Sequence, residues 1–325
     1  MNRRELLVGA AALAATSGLR AQVPRMRRVA LAMPGVPEVD ARIVDPIKNR
    51  LGVLGWIEGR TIEYAIGHAH GQTVRYESMI AELLAKKPDV LLVWFGLMAV
   101  IAKKQTREVP IVFAISSNPD KNGLVDSLAK PGGNVTGVST RELELLGKRI
   151  EILKEITPGM VRVAVLVNPD SPEISKLYVD KYGDHARMAG IQLLTADARS
   201  AKELRAAFDS LARGGAQGLL NIADPIQGLM RNEIAAEAAR TRIPAVYTAQ
   251  GFVEAGGLAS FGIDPADQAR RAAAYVDKIL RGAKPADLPV EEPTNFPFAI
   301  NLRAAREQGI KLPQSILARA DRVIE

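Results

Sequence analysis

A repeated alternation of short apolar runs and amphipathic helical stretches is the feature that most constrains the fold of this 325-residue chain. In the first half, the apolar runs RRVALAM, TIEYAI, DVLLVWF and PIVFAI are separated by stretches with helical periodicity. The same order recurs in the second half, in VRVAVLV, IQLLTA, QGLLNIA and IPAVYT. Strands that alternate with helices form parallel sheets covered by helices. The sequence therefore predicts an α/β protein with two similar, doubly wound units.

Segments rich in glycine and proline predict where the chain passes between these units. KPGGNVTGVSTRELELLGKR joins the two units and leads into a helix predicted at 142–156. A second crossing is predicted in FVEAGGLASFGID, before a helix at 265–280. We therefore expect a multi-crossing hinge between two lobes. Lobe 1 is predicted to contain residues 27–139 and 259–288, and lobe 2 residues 140–258 and 289–325.

The first 21 residues are typical of an export signal. MNRRELLVGAAALAATSGLRAQ has a basic start, an apolar stretch and a small residue suited to cleavage after Ala21. The apolar stretch is shorter than the ~20 residues that a membrane-spanning helix needs. Arg3 and Arg4 also resemble the twin-arginine motif. We therefore predict a periplasmic protein, exported by the Sec or the twin-arginine route, with no stable membrane insertion after signal removal.

The composition excludes several classes of function. The chain contains no cysteine, which removes disulfides, thiolate metal sites and cysteine nucleophiles. Its net charge of +7 is modest and scattered, without a basic stripe interleaved with aromatics, so nucleic-acid binding is not expected. His68 and His70 are predicted to lie in a solvated loop rather than to bind a metal. No cofactor and no metal site are predicted.

Polar residues gather where the predicted strands end. In an open parallel sheet, ligands bind beyond the carboxyl ends of the strands, next to helix N-termini. Asn118, Asn168 and Asp224 each precede a proline at such an end, which predicts stiff strand-to-helix corners. Each side chain could cap a helix, contact a ligand, or do both. Because side chains alternate along a strand, one of Trp94 and Phe95 should face the cleft and the other the core.

No combination of residues is typical of an enzyme. The sequence has no Gly-x-Ser-x-Gly elbow, no phosphate-binding loop and no Gly-x-Gly-x-x-Gly after a strand. No histidine is predicted at a strand end to serve a Ser-His-Asp relay. Asp170 and Asp224 could form the acid–base pair of a hydrolase or lyase, but two ionised carboxylates that face a polar ligand explain them equally well. The sequence thus favours a binding protein.

Several stretches resemble the periplasmic substrate-binding proteins of ABC transporters, in the family that includes the tryptophan-binding TrpX-like proteins. The most specific are FVEAGGLASFGID and RRAAAYVDKILRGAKPADLPVEEPTNFPFAINLRAAREQGIKLP, and LAKPGGNVTGVS and GKRIEILKEITPGMVRVAVLVNP add to them. The similarity covers residues 28–325. It implies a type I periplasmic binding fold with two Rossmann-like lobes. A small polar or aromatic, amino-acid-like ligand would close the lobes and pass to the permease subunits of an importer.

By position in the family pattern, the resemblance also implies ligand contacts on the loops at the strand ends. They are Pro34, Gly35, Trp94, Gly96, Leu97, Ser116, Ser117 and Asn118 in lobe 1, and Asn168, Asp170, Ser171, Asp224 and Pro225 in lobe 2. In relatives that hold amino acids, an acid takes the ammonium group, a role that falls here on Asp224. The chain departs from the pattern at Leu97, where Ser or Thr is frequent, and at Asn118, where Asp is usual.

The resemblance leaves the partner open. We expect a monomeric receptor that serves an ABC importer. A periplasmic sensor that hands its ligand to a signalling receptor would need the same lobes and the same cleft, so the sequence does not separate these two functions.

Overall fold

The structure is a computed structural model that describes residues 25–325, so the predicted export signal lies outside the described residues. Its strands are β1 (Arg27–Met33), β2 (Ile62–His68), β3 (Val90–Phe95), β4 (Ile111–Ser116), β5 (Val135–Ser139), β6 (Arg162–Val167), β7 (Gln192–Asp197), β8 (Leu219–Leu220), β9 (Ala245–Ala249), β10 (Ala259–Ile263), β11 (Phe298–Asn301) and β12 (Arg322–Ile324).

Its helices are α1 (Pro37–Val53), α2 (Tyr76–Ala85), α3 (Gly96–Gln105), α4 (Leu145–Ile156), α5 (Pro172–Met188), α6 (Ala201–Arg213), α7 (Pro225–Leu229), α8 (Arg231–Thr241), α9 (Gln250–Glu254), α10 (Pro265–Leu280), α11 (Leu302–Gln308) and α12 (Gln314–Arg319). Short 3₁₀ turns precede α2 and α4, at Thr73–Arg75 and Glu142–Glu144. No helix within 25–325 is long and apolar enough to cross a membrane.

Lobe 1 is built on a wholly parallel sheet with the strand order β2-β1-β3-β4-β5. Its central strands are apolar over most of their length because helices cover both faces. On one of these faces α10 packs against α1 and contributes the fully buried Ala269, Ala272 and Val276 to the core. The carboxyl ends of the five strands consequently share one edge, which is where a ligand of such a sheet binds.

Lobe 2 is built on a seven-stranded sheet with the order β12-β11-β10-β9-β8-β6-β7, in which only β10 and β11 pair antiparallel. Alternate residues of β6 enter different cores: Val163 and Val165 belong to the cluster that includes α4 and α5, while Ala164 and Leu166 belong to the one that includes α6 and α8. The predicted pair of doubly wound α/β units is confirmed.

The chain passes between the lobes three times. The first crossing follows β5, where the Thr140 N–H still donates to the Ser116 carbonyl at 3.0 Å and Arg141 adopts a left-handed conformation with φ 50°. The second lies between β10 and α10. The third begins after Glu291, whose backbone bonds to Gly137 and Ser139 beside β5.

Two predicted details are corrected. Lobe 1 resumes after Ile263 rather than at residue 259, because β10 pairs with β9 and β11 in the second sheet, and it extends to Glu291 rather than to 288. The corner at Asn118 does not begin a helix. Asn118 has φ 49°, and turns follow it up to Gly123.

Candidate functional site

Asp224 caps helix α7 at the end of the β8 segment. Its Oδ1 accepts the Ile226 N–H at 2.9 Å and the Gln227 N–H at 3.4 Å. Pro225 occupies the first helical position, where its missing N–H is not needed. The predicted strand-to-helix corner is therefore present. It orients the Asp224 carboxylate so that two of its four lone-pair directions face α7.

Asn168, at the end of β6, joins Asp224 in one polar cluster. The Asn168 Nδ2 donates to both Asp224 oxygens and to Ser171 Oγ, each at 3.2 Å. Its Oδ1 accepts the Asp170 N–H at 3.0 Å, which closes a tight turn before α5. Four predicted contacts, Asn168, Ser171, Asp224 and Pro225, are thus brought together and buried, whereas Asp170 is exposed.

The Asp224 carboxylate is buried without a cation. Its residue is 4% exposed, and no Lys, Arg or His of the described chain lies within salt-bridge distance of it. Burial raises the pKa of Asp224 above the ordinary 3.8, although hydrogen bonds from Asn168, Ile226, Ser171 and Gln227 oppose the shift. Buried charges in proteins are normally paired, so this one is set to receive a positive group.

Lobe 1 presents an acid of its own at the matching edge. Asp40, in the first turn of α1, is 1% exposed and accepts the Gly35 N–H at 3.1 Å. The His68 Nδ1 lies 2.7 Å from Asp40 Oδ2. Burial raises the pKa of Asp40, while the hydrogen bond and charge of His68 lower it. The expected solvated loop is therefore wrong for His68, which ends β2 in a partly buried pair; His70 is exposed.

The two edges touch across the cleft. Thr73 Oγ1 donates to the Asp170 carbonyl at 3.4 Å. Gly71, at φ 77°, lies so close to lobe 2 that a Cβ built on it would be 2.7 Å from Leu229 Cδ1 and 3.0 Å from Ile226 Cδ1. A Cβ on Gly35 would likewise meet Leu229 Cδ2 at 3.3 Å. The loops after β1 and β2 thus close against α7, next to Asp224.

The remaining predicted contacts of lobe 1 divide between core and surface. Trp94 is 3% exposed and packs in the core of lobe 1, whereas its neighbour Phe95 is half-buried. Leu97 is 42% exposed. At Gly96 a Cβ would lie 2.6 Å from Ser116 Oγ, so only glycine fits beside this buried serine.

The end of β4 is polar and tied to the first crossing. Ser117 Oγ lies 3.3 Å from Thr140 Oγ1, and Thr140 is fully buried. Asn118 follows at the partly exposed rim. This group links the predicted contacts Ser116, Ser117 and Asn118 to the hinge rather than to the Asp224 cluster.

A buried ion pair supports the floor of lobe 2. Arg149, fully buried on α4, donates to both Glu142 oxygens at 2.6 and 3.0 Å and to the Phe261 carbonyl at 2.7 Å. Its Nη1 also lies 3.5 Å from the Tyr182 hydroxyl, which donates to the Asn221 carbonyl at 3.3 Å. Burial alone lowers the pKa of Arg149, but Glu142 and Tyr182 outweigh it, so the pKa is raised. Through Arg149, the segment after the first crossing and strand β10 before the second are both attached to α4.

Sequence reasoning missed Asp40, His68, Tyr76 and the Glu142–Arg149 pair. A local signal for Asp40 exists, since an acid in the first turn of a helix can bind the loop before it. The Asp40–His68 contact and the bond from Arg149 to Phe261 join residues 28 and 112 positions apart, so they have no local signature. Among the described residues, no group of three or more His, Asp or Glu side chains is placed to hold a metal ion.

Comparison with known proteins adds to this geometry. The sequence pattern of the family described as "ABC transporter substrate binding protein" matches residues 36–324. The chain is 27% identical over 239 residues to the Tyrosine-binding protein of Clostridioides difficile, an alignment that covers 73% of this chain and 67% of that protein.

Two solved structures are similar over most of the chain. One is a conserved domain protein from Vibrio cholerae, with 26% identity and a TM-score of 0.81; the other is an ABC domain in complex with L-Trp from Streptococcus pneumonia, with 26% identity and a TM-score of 0.80. Each alignment covers 92% of this chain and 100% of the other.

Proposed function

Because the chain belongs to the family of ABC transporter substrate-binding proteins, we propose that it captures a small ligand with a positively charged amino group between its lobes and delivers it to an importer. Its fold is that of the type I periplasmic binding proteins, as the sequence predicted. The receptor is exported to the periplasm, works there as a monomer, and docks on the permease subunits when closed.

The buried Asp224 carboxylate is the observation that indicates a ligand with a positively charged amino group. Its hydrogen bonds come from neutral groups, Asn168, Ser171 and the N-terminal amides of α7. These groups orient the carboxylate but do not cancel its charge. A ligand ammonium group would do so in a site that excludes water, where charge-assisted hydrogen bonds are about twice as strong as neutral ones.

The relatives support an amino-acid-like ligand. One is described as a tyrosine-binding protein, and one related structure contains L-Trp. Half-buried Phe95 offers an apolar face at the end of β3 for the rest of such a molecule. Leu97 replaces the hydroxyl that relatives often carry, so we expect this chain to hold the ligand carboxylate with backbone amides and with Ser117 or Thr140.

The mechanism is closure without chemistry. A ligand that bonds to both lobes favours the closed form only through contacts that the open form cannot make. The permease then binds the surfaces that the two lobes present together in the closed form. Asp170 is exposed and Asp224 is held by its cap, an arrangement that supports ligand binding rather than an acid–base pair.

Thermal unfolding of the chain from Gln22 onward, after removal of co-purified ligand by unfolding and refolding, tests the proposal. The panel contains aromatic and aliphatic amino acids, their N-acetyl derivatives, sugars and small carboxylic acids. At 100 times its dissociation constant a ligand adds about 2.7 kcal/mol to the stability. We expect shifts only with free amines, and the bound compound recovered unchanged. Shifts only with sugars or acids, or turnover of the ligand, would exclude the proposed function.

A further inference from the structure

The hydroxyl of Tyr76 is buried and has no hydrogen-bond partner in the described chain. Tyr76 is 1% exposed and begins α2 in lobe 1. Leaving a buried hydroxyl unpaired destabilises a folded protein, and such groups are few in native structures. An unpaired group of this kind next to a ligand cleft is available to pair with what enters the cleft.

Tyr76 packs against the core of lobe 1 and directly follows the segment of lobe 1 that contacts lobe 2. One turn earlier, Thr73 touches Asp170 of lobe 2, and Gly71 touches the side chains of α7. Burial raises the pKa of Tyr76, and the nearby charges of Asp224 and Asp40 raise it further. Tyr76 is therefore neutral at all physiological pH values, and it is close enough to both acids to feel their charge.

We infer that the Tyr76 hydroxyl is the lobe 1 acceptor for the same ligand amino group that Asp224 holds in lobe 2. The inference rests on the proposed function, because it concerns the same cleft. The surroundings favour an acceptor role. The Asp224 carboxylate has no cationic partner in the described chain and gives this part of the cleft a negative potential, so the ligand group there is a cation and offers only N–H donors.

The inference narrows the ligand class. One N–H of the ligand binds Asp224 and another binds Tyr76, so the ligand needs a charged amino group with at least two N–H bonds. An N-acetylated analogue offers one N–H and no charge, and an N,N-dimethyl analogue offers one N–H. Because the two acceptors lie in different lobes, only a ligand that satisfies both stabilises the closed form.

The test compares Tyr76→Phe with Tyr247→Phe. Tyr247 is a matched control, since its hydroxyl is also buried without a partner but lies in the core of lobe 2, stacked on Phe252 at 4.8 Å between ring centroids. Binding is measured by titration calorimetry with L-tyrosine, L-tryptophan and their N-acetyl and N,N-dimethyl forms. We expect both variants to be folded and at least as stable as the wild type without ligand.

Tyr76→Phe should lower the affinity for the free amines about 10- to 100-fold, the range for a hydrogen bond to a charged group. It should also reduce the preference for the free amine over the N,N-dimethyl form. Tyr247→Phe should change neither. Wild-type affinity in Tyr76→Phe, or an affinity loss with an unchanged preference, overturns the role of Tyr76 and leaves the proposed function standing. Failure of the wild type to bind any free amine overturns both.

Discussion

At the scale of single residues, Asp224 stabilises helix α7 and destabilises the protein that has no ligand bound. As an N-cap it satisfies two amides of α7, a role worth about 1 kcal/mol. As a buried charge without a cation it lowers the stability of the empty protein, which is why its pKa is raised. The uncompensated charge of Asp224 therefore destabilises the site until a cationic ligand binds.

Asp224→Asn separates these roles, because asparagine caps helices as well as aspartate but has no charge. At pH 7 the variant without ligand should be as stable as the wild type or more stable, and its affinity for amine ligands should fall by about 2–5 kcal/mol, the cost of removing one partner of a buried charge pair. Thermal unfolding and calorimetry measure the two quantities.

The effect of Asp224 on stability depends on pH with a definite sign. The folded protein holds the Asp224 proton more tightly than the unfolded chain, so the wild type loses stability as the pH rises from the ordinary 3.8 through the raised pKa. The stability advantage of Asp224→Asn should therefore grow over that interval and be absent below it. An advantage independent of pH would contradict the assignment of the charge to Asp224.

At the scale of elements, helix α4 connects the crossings through Arg149. This side chain binds Glu142 just after the first crossing and the Phe261 carbonyl in β10 just before the second. A Cβ on Gly262 would meet Thr248 backbone and lie 3.0 Å from Arg149 Nη2, so glycine leaves room for the guanidinium. The residues beside the first and second crossings are thus attached to the same helix.

Arg149→Met should lower the free energy of unfolding by about 3–5 kcal/mol, because it leaves the Glu142 carboxylate buried and unpaired. Lys148→Met is the matched control on the same helix. Lys148 pairs with Glu151 at 2.8 Å on the surface, and loss of an exposed pair costs about 0–1 kcal/mol. Urea unfolding of the two variants measures the difference. Equal losses would mean that the buried pair contributes no more than a surface pair.

At the scale of the whole molecule, closure depends on close approach of the lobes beside the site. Gly71 and Gly35 leave space for Leu229, and Thr73 reaches Asp170. These contacts run from lobe 1 to lobe 2, so we expect them to form only when the lobes close. A larger residue at Gly71 should therefore act on the equilibrium between open and closed forms, whereas one at Gly35 would also displace the Asp40 carboxylate, whose Oδ1 lies 2.6 Å from a Cβ built there.

Gly71→Leu and Gly59→Leu form a pair that isolates this effect. Both glycines have φ 77° in lobe 1, so both substitutions cost similar backbone strain, but a Cβ on Gly59 meets nothing within 4 Å. Ligand affinity should fall only in Gly71→Leu, by about 1–3 kcal/mol of overpacking in the closed form. Small-angle scattering with saturating ligand should show a larger radius of gyration for that variant. Equal affinities in both variants would exclude closure at this contact.

The sequence predicted the parts of this molecule that local patterns encode. Strand–helix alternation has a short period, so both sheets were predictable, and Asn168 and Asp224 were selected because each follows an apolar run and precedes a proline. Asp40 and His68 are 28 residues apart and Arg149 and Phe261 are 112 apart, so only the folded chain shows that they pair. Trp94 and Phe95 alternate, but the pattern does not show which of the two faces the core.

The late position of α10 in the chain has a consequence for the order of assembly. Lobe 1 takes its five strands from residues 27–139, yet its core needs Ala269, Ala272 and Val276, which are synthesised only after strands β6 to β10 of lobe 2. Domains usually fold one after another as the ribosome makes them, at about 5–20 residues per second. Here the first lobe cannot complete its core until residues 265–280 have been made, so we expect a fragment that ends before α10 to leave lobe 1 unfolded.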